Sequence, residues 1–151
     1  MLLSTHYGPY VIRSLAARPW VTVVDADGFP DQMMNRYLRF LAWQDATPAL
    51  VRSDARYLTD AATWLDFMED TWATVTEADW AYYCANLAGP VPRARWRVQR
   101  LVTTLHRAYA FWHWDNPGTV SFQPFPARAA DREKWVDWAL AQMITRSFYQ
   151  G

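Results

Sequence analysis

Residues 47–68 read TPALVRSDARYLTDAATWLDFM. Thr47 followed by Pro48 has the form of a helix N-cap with proline in the first turn, where a missing N–H leaves no hydrogen bond unmade. Val51, Ala55, Leu58, Ala62, Leu65 and Met68 then recur at three- and four-residue spacing. The stretch predicts an amphipathic helix of about five turns ending near Asp70. Arg52 and Arg56 lie one turn apart on it.

Working upstream, Met33, Met34, Tyr37, Leu38, Leu41 and Ala42 form a similar stripe, predicting a helix over 31–44 opened by Pro30. Trp20 to Val24 is short and β-branched, and Asp25-Ala-Asp-Gly28 is turn chemistry, so a single short strand is expected in an N-terminal arm. Downstream, Thr76-Glu-Ala-Asp79 resembles a capping box with Asp for Glu. It precedes Trp80, Tyr83, Cys84 and Leu87, a short third helix that should stop at Gly89-Pro90. Trp96, Leu101, Leu105, Ala108, Tyr109 and Trp112 mark a fourth helix from beyond Pro92 to just before Asn116-Pro117. Residues 115–130, with Asn116-Pro-Gly118, Pro124 and Pro126, read as an extended linker or a loop laid over a surface. A fifth helix is predicted over 131–148, with Trp135, Trp138, Ala139, Gln142 and Met143 on one side. The even spacing of Trp64, Trp72 and Trp80 crosses element boundaries and is taken as chance.

The chain has 151 residues, enough for one sizeable core, and is 52% hydrophobic with 5 Gly, which excludes a disordered or collagen-like protein. No apolar run approaches the ~20 residues of a membrane-spanning helix, and Met1-Leu2-Leu3 is too short for a signal-peptide core. A soluble cytoplasmic protein with no membrane partner is expected. The lone Cys84 excludes an intramolecular disulfide and a Cys-based zinc site.

Net charge is zero, but charge is segregated. Residues 54–79 carry seven carboxylates (Asp54, Asp60, Asp66, Glu69, Asp70, Glu77, Asp79) against one Arg. Residues 90–114 carry five Arg and two His with no acid. Fourteen of fifteen cationic residues are Arg, which suits bidentate contacts to phosphate or guanine, although codon bias gives the same count.

No constellation for catalysis stands out. There is no Gly-x-Ser-x-Gly elbow, Cys84 falls on an apolar face, and no phosphate-cradling Gly-rich loop occurs. His6, His106 and His113 show no metal-ligand spacing, and Glu69-Asp70 reads as a solvated helix end. No catalytic residue, metal, cofactor or small-molecule substrate is expected. For the ten Trp, core packing is the default. What remains is the basic helix. Arg93, Arg97 and Arg100, with Arg107 further along, can share an exposed side at three-, four- and seven-residue spacing. Such a helix fits a major groove or is simply a solvated face.

Five fragments in order carry a resemblance. Asn35-Arg-Tyr-Leu-Arg-Phe-Leu41 looks like the opening helix of the tyrosine recombinase (phage integrase) core-binding domain. Thr47-Pro-Ala-Leu-Val-Arg-Ser-Asp-Ala-Arg-Tyr-Leu58 resembles that family's Ser-Pro-x-Thr-x-x-x-Tyr-x-x-x-Leu, with Leu50 where Thr is common. Val75-Thr-Glu-Ala-Asp79 matches its Val-Thr-x-x-Asp. Arg97-x-x-Arg-Leu-Val-Thr-Thr-Leu-His-Arg-Ala-Tyr109 is similar to its fourth helix, and Asn116-Pro117 falls where Asn-Pro leads into the catalytic domain. The match covers roughly residues 20–117.

The resemblance implies an all-α fold: a four-helix core-binding (SAM-like) domain over 31–117, preceded by a strand-bearing arm over 1–30. A linker and tail helix would fill 118–151. It implies duplex DNA binding in site-specific recombination through Thr47, Arg52 and Arg56 at one site and Arg93, Arg95, Arg97, Arg100 and Arg107 at another. The family's His-x-x-Arg is missing and only 34 residues follow Pro117, so the catalytic domain is expected to be absent and strand cleavage is not expected. The tail helix could pack on the domain, or support self-association. The alternative is a helical protein-interaction or regulatory module that kept the fold and lost DNA binding.

Overall fold

The computed structural model describes residues 1–87 and 95–150, with side chains for 1–86 and 95–141. The chain divides into two compact units, Met1–Asp70 and Thr71–Gly151.

The first unit opens with strands β1 (Leu2–Tyr7), β2 (Tyr10–Leu15) and β3 (Val21–Val24) and continues with helices α1 (Gln32–Trp43) and α2 (Pro48–Phe67). The strands form an antiparallel sheet in the order β1-β2-β3. The expected all-α fold is thus corrected to a mixture of helix and sheet, and the arm is not a lone strand. In β2 the side chains of Tyr10, Ile12 and Ser14 are buried while Arg13 and Leu15 are exposed, the period of two that a half-buried strand requires. Ser4, Thr5 and His6 leave β1 without an apolar rhythm; it becomes a strand by pairing Thr5 with Ile12 and Leu3 with Ser14. Between them Gly8 has φ 57°, followed by Pro9, the sign pattern of a two-residue type II′ turn.

The sheet is tied to α1 by one side chain. Asn35 accepts from the Val23 N–H at 2.7 Å and donates to its carbonyl at 2.9 Å, occupying the outer edge of β3. Asp31 caps α1, its carboxylate accepting from the Met34 N–H at 2.8 Å. Thr47 caps α2, accepting from Leu50 at 3.2 Å. Most of each expected face is buried: Met34, Tyr37, Leu38 and Leu41 from α1, and Val51, Ala55, Leu58, Ala62 and Leu65 from α2; Met33 and Ala42 are half-buried, and Met68, past the end of α2, is exposed. Each large aliphatic group so buried contributes roughly 1.5–3 kcal/mol before entropy is counted.

The second unit contains α3 (Glu77–Tyr82), running on into a π-helical turn over Tyr83–Leu87, then α4 (Arg95–Asp115) and α5 (Ala129–Gln150). Thr76 caps α3, as its sequence predicts. The Gly89-Pro90 stop lies outside the described residues. The core is aromatic. Trp72 and Trp80 stack with centroids 6.0 Å apart, while Trp64 belongs to α2 in the first unit. Tyr109 sits edge-on to Trp80, accepts a hydrogen bond from its indole N–H and donates to the Trp72 carbonyl. The proline-rich stretch before α5 is a packed loop: Val120 and Phe125 are buried, and Gln123 donates to the Tyr109 carbonyl at 3.3 Å. The tail helix packs within this unit, burying Trp135, Val136 and Ala139, with the Trp135 indole donating to Glu77 at 3.1 Å. Trp138, expected on that side, is 43% exposed. The side chains of Gln142 and Met143 lie outside the described residues.

Candidate nucleic-acid interface

The sequence places its candidate contacts on two helices that belong to different units. On α2, in the first unit, Thr47 is exposed at the N-cap; its oxygen is occupied by Leu50, and its O–H remains a donor. Arg52 is half-buried, and its Nη1 is buried with no hydrogen-bond partner among the described residues. Arg56 is exposed, with its guanidinium carbon 5.6 Å from the centroid of the Tyr7 ring, which lends the long side chain a fixed direction. The helix has three acids as well, of which Asp54 is buried and Asp60 and Asp66 are exposed. Asp54 is buried and accepts from the Tyr37 hydroxyl at 2.7 Å; Asp66 accepts from the Tyr10 hydroxyl at 2.6 Å. Burial raises the Asp60 carboxyl above its usual range, with Arg56 pulling the other way. Of the acids legible in the sequence of α2, Asp54 alone is taken into the core, and Asp66 is engaged at the surface by Tyr10.

The five candidate positions that the sequence assigns to the fourth helix, in the second unit, separate further. Arg93 lies outside the described residues. Arg95 is engaged by α5: its Nε and Nη2 lie 2.9 and 2.8 Å from the same Asp137 oxygen, and Nη2 also reaches the Glu133 carbonyl at 3.4 Å. Both partners are exposed, so the pair is worth about 0–1 kcal/mol and is no structural anchor. Arg97 and Arg100 are exposed and stand one turn apart, and among the described residues neither meets a carboxylate. Arg97 lies over the Trp96 indole, 5.3 Å from the ring centroid. Arg107 is half-buried, unlike the outward pair. Beside it, burial holds the His106 imidazole below its usual range, with Arg132 and Arg107 adding to the cost of a third positive charge.

Trp96 is the residue that periodicity misplaces. The stripe assigns it to the core, but it is 58% exposed, while Val98, Leu101, Val102, Leu105 and Ala108 fill the buried face. The arginines at 95, 97 and 100 flanking it were the available signal, because an apolar ring among charges favours a surface turn. The Arg95–Asp137 contact joins residues far apart in the chain and left no mark in the sequence.

The zero net charge resolves into two opposite halves. Residues 1–70 hold six arginines against nine carboxylates, and residues 71–151 hold nine cationic side chains against six carboxylates. From Arg95 to Trp114 no acidic residue interrupts α4.

No catalytic grouping emerges among the described residues. Cys84 is fully buried and its thiol is pushed up by desolvation, the opposite of an activated nucleophile. His113 Nδ1 is 2.9 Å from the Val120 carbonyl. No group of three or more His, Cys, Asp or Glu there could hold a metal ion. Among the described residues no helix is long and apolar enough to cross a membrane. Comparison with protein-family models, with curated proteins and with solved structures finds no match for this chain.

Proposed function

We propose that the chain binds duplex DNA, serving in site-specific recombination as the DNA-holding portion of a tyrosine-recombinase-like protein. The observation that carries this reading is the exposed arginine pair Arg97 and Arg100 on a helix whose one acid is its last residue, Asp115, in the unit with the cationic surplus. Arg52, Arg56 and Thr47 on α2 supply a second set of contacts. Arginine is suited to the task because its planar fork meets phosphate oxygens bidentately and keeps its charge at any physiological pH. The proposal concerns binding and not strand cleavage, for which these 151 residues hold no matching motif. A cytoplasmic site of action goes with a DNA partner.

If Arg52, Arg56, Arg97 and Arg100 each neutralise one phosphate, the log–log salt slope of the binding constant is about −3.6, from −0.9 per contact. Replacing Arg97 and Arg100 together by Ala brings it to about −1.8 while circular dichroism stays unchanged. A slope near zero in the intact chain removes the DNA reading.

A helical interaction module is the second reading, favoured by the carboxylate surplus of residues 1–70. Self-association through α5 would have to use surfaces such as Trp138, because Trp135, Val136 and Ala139 are already covered.

A further inference from the structure

Trp96 stands in the first turn of α4 with more than half of its surface in solvent. Among the described residues no second aromatic ring packs on it; its one ring partner there is the Arg97 guanidinium. Of the other tryptophans of this unit, Trp72, Trp80, Trp112 and Trp135 are buried, and the exposed Trp114 and Trp138 each have an aromatic ring beside them, Phe111 and Trp135. What sets Trp96 apart is an indole in solvent with a guanidinium over its ring and a second outward arginine one turn on, and that charge selects an anionic occupant.

Duplex DNA satisfies the arginines but not the indole. Within a duplex the flat faces of the bases are stacked on one another, and only their edges and the sugar–phosphate walls are accessible. A π surface finds a matching face only on a base that has left the stack, which is how aromatic side chains hold single-stranded nucleic acid. Arg97 is compatible with both demands: a guanidinium lying over a ring keeps its N–H groups at the edge of the plane, where phosphate oxygens approach.

We infer that Trp96, backed by Arg97, is a stacking platform for an unpaired nucleobase next to the duplex whose phosphates Arg97 and Arg100 hold. This rests on the DNA reading given above and adds a preference to it: duplex interrupted by a few unpaired nucleotides binds better than continuous duplex.

The test uses the full chain and two fluorescent probes at fixed salt, a continuous duplex and the same duplex carrying a short thymidine gap. The intact protein is expected to bind the gapped probe about five- to tenfold more tightly. Trp96→Ala abolishes that preference and leaves both the affinity for continuous duplex and the salt slope unchanged, since stacking releases no counterions. Trp96→Phe retains most of the preference. Equal binding of the two probes by the intact protein, or a preference that survives Trp96→Ala, overturns the platform and leaves duplex binding standing. Failure to bind either probe overturns the DNA reading and the platform together.

Discussion

Asn35 shows what a single buried amide can decide. It is 6% exposed and satisfies both the N–H and the carbonyl of Val23. Asn35→Ala leaves the Val23 N–H buried without its acceptor, whereas the carbonyl keeps the Asp31 N–H at 3.0 Å. The expected loss is about 2–3 kcal/mol of stability, read from the urea midpoint of the variant. Nothing in the sequence marks Asn35 as internal; it interrupts an apolar stripe and reads as a polar residue on a surface turn. Asp54 misleads in the same way, because a carboxylate paired with Tyr37 in the core has the same letter as one in water. His106 gives a pH dependence whose sign follows from its lowered proton affinity. Between its ordinary value of 6.5 and the lower folded value, the unfolded chain binds more protons, so stability falls as pH drops through that window. His106→Gln should remove that acid-side loss; identical pH–stability curves for the two proteins would refute the assignment. Asp31 and Asp60 act in the opposite sense. Burial raises both, so the folded state takes up protons first and their contribution improves as pH falls toward the carboxylate range.

Helices were legible because their ends are written locally. Thr47-Pro48 and Thr76 each name a cap, and the apolar rhythm between caps fixes the buried face. The sheet was not legible, since β1 is exposed along its length and acquires its conformation from β2. Gly8 is where hairpin and helix meet: a Cβ there would lie 2.6 Å from Thr63 Cγ2 on α2, and the backbone is left-handed besides. Gly8→Ala is expected to cost at least about 1–2 kcal/mol from conformation alone. Adding Thr63→Ala should recover only the steric part. Thermal unfolding of the single and double variants separates the two contributions; full recovery in the double variant would show that backbone strain plays no part. Of the candidate interface, the exposed pair Arg97 and Arg100 was readable from spacing. The diversion of Arg95 to Asp137 depends on how α5 lies along α4, which no local pattern encodes.

Across the whole molecule the neutral total conceals an asymmetry, with carboxylates in excess through residue 70 and cationic groups in excess after it. A neutral protein with evenly mixed charge shows little electrostatic steering. If the proposed DNA binding holds, the association rate is expected to fall about tenfold or more as salt is raised from dilute to physiological, despite zero net charge, and stopped-flow mixing reads this directly. A salt-independent rate would mean that the asymmetry is not felt by the partner. The second half also carries the one thiol of the chain, Cys84, which is fully buried. An alkylating reagent in the surrounding solution has no path to that sulfur while the fold is closed. The pace at which the sulfur is modified in the native protein therefore clocks how often the interior breathes, a reporter that needs no added label.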